Sequence, residues 1–91
     1  MGTVIITYKI MPDSVDVNLN DVEAKSKKII ERFGGKIIRT EKEPVAFGLI
    51  ALKITFSLDE SNSNLDPLES QLIDMNEVSS AEVVEIRRAV G

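Results

Sequence analysis

Val4, Ile6, Tyr8 and Ile10 alternate with Thr3, Thr7 and Lys9 near the start of the chain. That period of two is the mark of a strand with one buried face, and Ile5 is its exception. Met11-Pro12-Asp13-Ser14 ends the run, because proline has no amide to give a ladder and Asp-Ser favours a turn. The period then lengthens. Leu19, Val22, Ser26, Ile29, Ile30 and Phe33 recur at the spacing of one helix face. Asn18 is a suitable N-cap with Asp21 three residues on, and Val17 and Val22 stand where a hydrophobic staple packs. Gly34 and Gly35 close the helix, one of them supplying the left-handed residue after it.

Lys36 to Glu43 is mostly polar, with Ile37 and Ile38 its apolar residues. Its Lys and Glu content suits an edge strand, where charge discourages pairing with another chain. Pro44 turns the chain into a long apolar run. There Ile50, Leu52, Ile54, Phe56 and Leu58 fall on one face, the core face. Phe47, Leu49, Ala51, Lys53 and Thr55 fall on the other, which starts apolar and ends polar, as a face partly open to water would. The first half of the run reads as a turn that presents Phe47 at the border of that open face. A polar loop spans Asp59 to Asn64. A second, short helix follows, with Asp66 as N-cap, Pro67 in its first turn, Glu69 at the third position, and Leu68, Leu72 and Met75 inward. The last strand runs from Val78 to Val90. In it Val84, Ile86 and Arg88 share one parity and Ala81 and Val83 the other, so a bulge is expected near Val83-Val84. Arg88 is expected at the rim of the inner face.

The order is β-α-β-β-α-β, two β-α-β units in 91 residues. It predicts an α+β, ferredoxin-like βαββαβ sandwich. A four-stranded antiparallel sheet of order 4-1-3-2 would carry two helices on one face, with the most apolar strands, the first and third, at its centre. A chain of this length is expected to form a single domain, residues 1–91.

Composition narrows the chemistry. The chain has no cysteine and no histidine, which removes disulfides, most zinc and copper sites, and Cys- or His-based catalysis. No nucleophile–base pair or metal-ligand cluster stands out, so neither an enzyme nor a cofactor or metal is expected. The paired acids Glu82 and Glu85, like Asp59 and Glu60, read as solvated surface. No apolar run approaches the ~20 residues that cross a bilayer, and the N-terminus lacks the pattern of a signal peptide. A cytoplasmic protein is the expectation. The net charge of −4 argues against general nucleic-acid binding. It is unevenly spread: residues 1–53 carry +2 and residues 54–91 carry −6, so Arg87 and Arg88 stand alone at the end of an acidic half. On the first helix Lys25, Lys28 and Arg32 form a polar face that reads as solvated; a phosphate-binding stripe would call for interleaved aromatics.

Glu43-Pro44-Val45-Ala46-Phe47-Gly48-Leu49-Ile50-Ala51-Leu52 resembles the Pro-x-x-Phe/Tyr-Gly-x-x-x-Leu signature of translation elongation factor 1-beta. The start, Met1-Gly2-Thr3-Val4 with Lys9-Ile10-Met11-Pro12, is similar to the archaeal members of that family, as is the end, Ser80 to Arg88. The resemblance covers the whole chain in order. It implies a guanine-nucleotide exchange domain of ferredoxin-like fold, acting on elongation factor 1-alpha, the GTPase that carries aminoacyl-tRNA. It also implies roles. Phe47 matches the aromatic that the family sets against the nucleotide-binding domain of the GTPase, with Gly48 and Leu49 beside it. Arg88, or Arg87 next to it, stands where eukaryotic relatives place a lysine that reaches toward the Mg²⁺ and phosphate site. The candidate interface is therefore Phe47, Gly48, Leu49, Arg87 and Arg88. An arginine there differs from a lysine, being planar where the ammonium is a point charge.

Two other functions fit the fold class. A small-ligand regulatory module would need a Gly-rich ligand loop, which Met11 to Val17 does not supply. An RNA-recognition module would set two or three aromatics on the central strands, whereas the first strand has only Tyr8, on the core face.

Overall fold

The alternating segments pair as the sequence predicts. In the computed structural model, which describes residues 2–62 and 64–89, the elements are β1 (Thr3–Pro12), α1 (Leu19–Phe33), β2 (Lys36–Pro44), β3 (Ile50–Asp59), a 3-10 turn (Glu60–Asn62), α2 (Asp66–Ile73) and β4 (Val78–Ala89). Ser63 of the expected loop and Val90 of the expected last strand lie outside the described residues. The sheet order is β2-β3-β1-β4, with antiparallel pairing throughout. The apolar strands β1 and β3 are central and the charged β2 is an edge. The molecule is elongated, 42 × 21 × 17 Å.

One sheet face is covered. Val22, Ser26 and Ile30 of α1 and Leu68 and Leu72 of α2 are buried. The apolar ones meet Ile6, Tyr8 and Ile10 of β1 and Leu52, Ile54, Phe56 and Leu58 of β3 in one core. Each fully buried Val, Leu, Ile or Phe there contributes about 1.5–3 kcal/mol. Tyr8 and Phe56 stack at the centre, ring centroids 6.1 Å apart and planes 9° apart. Burial, with the nearby charges of Glu69 and Asp66, pushes the Tyr8 hydroxyl up to about 12.

The punctuation of α1 holds. Asn18 accepts a bond from the Asn20 N–H (3.0 Å), and Gly34, at φ 106°, takes the left-handed position. That of α2 differs. Leu65, not Asp66, is the N-cap, and no side chain caps from it. Asn64 Oδ1 instead accepts from the Asp66 N–H (3.3 Å), so Asp66 enters the helix and sets its charge in the first turn, where the helix dipole favours it.

The bulge in β4 is present. Thr7 pairs with Glu85 but Tyr8 with Val83, leaving Val84 without a partner. The extra residue corrects the parity read from sequence: Ala81 and Val83, paired with Ile10 and Tyr8, lie on the same helix-covered side as Ile86 and Arg88, paired with Ile6 and Val4. Val84 is the residue displaced by the frame change.

The open face corrects a second expectation. Thr55 is buried (3%) rather than open to water. It lies in a row Arg39–Thr55–Thr7–Glu85 across all four strands, so longer residues flank the two threonines, whose hydroxyls bond to each other at 2.9 Å. One step along, Lys9 and Lys53 are directly opposite, a like-charge pair that is unfavourable alone. Glu43 relieves it with one carboxylate oxygen toward each, at 3.7 and 3.6 Å.

Candidate functional site at the two ends of the sheet

β3 begins at Ile50, three residues after Phe47. The phenylalanine is therefore not an outward residue of the strand; it stands at the tip of the β2–β3 turn. The Leu49 N–H donates to the Ala46 carbonyl (2.9 Å) and the Val45 N–H to the Leu49 carbonyl (3.0 Å). Val45 and Ala46 thus face one residue, Leu49, which is the count of a β-bulge. The two residues at the tip, Phe47 and Gly48, both have positive φ, 55° and 78°. Type I′ hairpin turns require that combination and favour Asn-Gly for it. Glycine adopts it freely. A phenylalanine there carries a cost of about 1–2 kcal/mol from Cβ crowding, and a bulky residue at positive φ is a true outlier.

The same residue is 96% exposed. A phenylalanine of this chain thus forgoes the burial its ring could gain and occupies a strained backbone. Among the described residues no contact buries the ring. Strain of this kind gathers at sites whose geometry serves a partner or ligand.

The surroundings of Phe47 extend the apolar surface. Val15, in the loop between β1 and α1, is 60% exposed, and Val45 and Ile50 are also exposed. A Cβ placed on Gly48 would lie 3.5 Å from Val15 Cγ1, so the loop and the hairpin lie side by side. Pro12, Val15, Val17, Leu19, Gly48 and Ile50, with the polar Ser14, Asn18, Asn20 and Lys42, line a shallow groove between them. The parity of Ile50 predicts a core residue; it lies at the groove beside the first residues of α1 and is 39% exposed. Val15 belongs to neither periodic run, yet an apolar residue between Ser14 and Asp16 is itself a signal.

The five candidate residues do not form one cluster. Phe47, Gly48 and Leu49 sit at the end of the sheet where Pro12 pairs with Val78, whereas Arg88 pairs with Val4, which pairs with Leu58. From Ile50 to Leu58 the strand runs about 26 Å at the usual rise. The two arginines also part. Arg87, opposite Ile5, lies on the open face, 3.5 Å from Glu85. Arg88 lies on the helix side, 73% exposed, with its guanidinium on the Glu60 carboxylate.

Other charged groups are engaged structurally. Lys25 bonds Glu77 at 2.6 Å, which ties α1 to the turn before β4. That bond holds the Glu77 carboxyl below the usual carboxylate range and raises Lys25. One member of the Lys25, Lys28, Arg32 face is accordingly spoken for. Asp59 is held low by bonds from the Ser61 hydroxyl and N–H. Among the described residues Phe47 is the one aromatic that is exposed: Tyr8 and Phe56 are buried and Phe33 is packed against the core. The open face has no stacking platform for bases. Among the described residues no group of three His, Cys, Asp or Glu is gathered to hold a metal ion, and no helix is long and apolar enough to cross a membrane.

The described residues thus form a ferredoxin-like sandwich with a strained, exposed aromatic at one tip. The chain belongs to the family described as the EF-1 guanine nucleotide exchange domain, which it matches over residues 5–89. It is 37% identical over 86 residues to elongation factor 1-beta of Methanococcus vannielii, covering 94% of this chain and 97% of that one. It is 38% identical over 90 residues to elongation factor 1-beta of Methanothermobacter thermautotrophicus, covering 97% and 98%. Among solved structures it is similar to the ACT domain from GTP pyrophosphokinase of Chlorobium tepidum (TM-score 0.61, 15% identity, 88% of this chain and 96% of that one). It is also similar to the C-terminal domain of the MgtC protein from Mycobacterium tuberculosis (TM-score 0.64, 11% identity, 97% and 88%). These structural likenesses show the fold alone. The sequence relationship carries the function, guanine-nucleotide exchange in translation elongation.

Proposed function

We propose that this chain, as one exchange domain in the cytoplasm, promotes GDP release from elongation factor 1-alpha by docking Phe47 against the nucleotide-binding domain and bringing Arg88 toward the nucleotide phosphates. The observation that carries the reading is Phe47 itself, 96% exposed at φ 55°. Aromatic side chains dominate the energetics of interfaces when a partner buries them. Val15, Val45 and Ile50 supply apolar surface around it.

The separation of the two ends is compatible with one interface. A standard interface buries about 800 Å² on each partner, a patch roughly 30 Å across, enough to span both ends. Exchange then needs no covalent step. GTPases hold Mg²⁺ between protein oxygens and the nucleotide phosphates. A guanidinium brought near that site competes with the metal for the phosphates. A partner that binds the nucleotide-free form more tightly than the loaded form lowers nucleotide affinity by the same factor, by linkage.

The test is release of fluorescent GDP from the cognate GTPase. Added in substoichiometric amounts, the protein accelerates release, and Phe47→Ala reduces that acceleration about a hundredfold with an unchanged melting temperature. Release unaffected by the unmodified protein would refute the function. A large fall in melting temperature for Phe47→Ala would instead make the residue structural.

A further inference from the structure

Arg88, the cation on which the proposed exchange relies, already has a partner in the free protein. Its guanidinium rests on the carboxylate of Glu60. Glu60 opens the 3-10 turn between β3 and α2, and that turn is anchored at each residue. The Glu60 N–H donates to the Gly2 carbonyl (2.9 Å). Asp59 Oδ1 accepts from the Ser61 N–H (2.9 Å) and hydroxyl (2.7 Å). Asn62 Nδ2 donates to the Phe33 carbonyl at the end of α1 (2.7 Å). Gly2 matters as well: a Cβ there would overlap the Glu60 carboxylate, so the absence of a side chain at residue 2 leaves the carboxylate its place. Arg87 offers a contrast, since its partner Glu85 is two residues away on its own strand and face.

We propose that Glu60 is a positioning residue for Arg88: it holds the guanidinium beside the β3–α2 turn until the phosphates of the GTPase-bound nucleotide take its place. The inference rests on the reading of Arg88 as the exchange cation. A carboxylate and a phosphate are alternative acceptors for the same planar fork of donors. Glu60 cannot travel with Arg88, because its turn is bonded to Gly2, just before β1, and to the end of α1. If it did travel, it would carry a negative charge toward the phosphates. Handover therefore breaks the Arg88–Glu60 pair, and Glu60 sets how readily Arg88 departs. An exposed ion pair of this kind changes a rate by about two- to fivefold.

The experiment measures fluorescent-GDP release from the cognate GTPase at about 0.01 M and about 1 M salt, where the Debye length is about 30 Å and about 3 Å. Glu60→Gln is expected to raise the exchange rate about two- to fivefold at low salt and to have no effect at high salt. Gly2→Ala displaces the carboxylate without altering charge and is expected to raise the rate in the same direction. In an Arg88→Ala background, itself slower, Glu60→Gln is expected to do nothing, which separates the pair from a general loss of negative charge. Glu60→Asp should restore the unmodified rate in part. A rate unchanged or lowered by Glu60→Gln, with Arg88→Ala still slow, overturns the positioning role and leaves the exchange reading intact. Equal acceleration by Glu60→Gln with and without Arg88 overturns it as well. An Arg88→Ala protein as fast as the unmodified one removes the premise, and this inference with it.

Discussion

At the hairpin end, Phe47 is exposed in left-handed backbone beside other exposed apolar residues, and no contact among the described residues buries it. At the opposite end Arg88 is exposed too, yet it is answered by Glu60, whose turn is bonded to Gly2, just before β1, and to the end of α1. The difference separates two ways of presenting a residue. The hairpin sets where its side chain leaves the backbone, and the exposed ring has no packed neighbour to give up before a partner meets it. The arginine end holds its side chain through an ion pair that another anion must replace. On the proposed reading one end supplies apolar affinity and the other a charge, and the strand between them runs about 26 Å.

Each end can be broken separately. The largest effect is expected at the tip, where Phe47→Ala should reduce exchange about a hundredfold, the range of an interface hot spot, while the circular dichroism melt is unchanged. A reduction confined to severalfold would place the affinity elsewhere. The core between the ends gives the next effect. Tyr8 keeps its proton in the folded state to about pH 12, whereas the unfolded chain loses it near pH 10. Between these values the unfolded state binds fewer protons, so stability, fully present below about pH 10, falls by about 1.4 kcal/mol per pH unit. Denaturant titrations of the unmodified protein and Tyr8→Phe should differ by that slope. At the charged end, Arg88→Ala should slow exchange about tenfold, as loss of a charge-assisted contact does, and Arg87→Ala distinctly less. Equal slowing would make general charge, not the helix-side position of Arg88, the cause. The smallest effect is structural: Glu43→Ala leaves Lys9 facing Lys53 and should destabilise the fold by about 0.5 kcal/mol, read from the midpoint of urea unfolding.

The sheet was legible because its signals are periodic. The alternation in β1 and β3 and the charges of β2 specified which strands lie at the centre and which at an edge. Asn18 and Gly34 marked the limits of α1 through their own backbone preferences. What period could not convey is where a frame changes. Ile50 has the parity of the core but lies at the open groove beside the start of α1. Val83 and Ile86 read as opposite faces until the unpaired Val84 is counted. Thr55 reads as a wet residue because its own polarity says nothing about Arg39 and Thr7 on the neighbouring strands. At the site, Phe47 was found through the resemblance to a family, and its exposure agrees with that. Its strain was not legible, since no composition rule places phenylalanine at positive φ. The contact of Arg88 with Glu60 joins residues 28 apart in sequence, and it takes the pairing of both β3 and β4 with β1 to bring them together.

The central claim is that the hairpin tip is held in a costly conformation for the sake of the partner. Phe47→Asn tests it most directly, because Asn-Gly is the pair this turn prefers. Equilibrium unfolding and fluorescent-GDP release should be measured on the same preparation. The account predicts a protein about 1 kcal/mol more stable that no longer accelerates release. A variant that loses stability, or one that gains it and still promotes exchange at the unmodified rate, would contradict it.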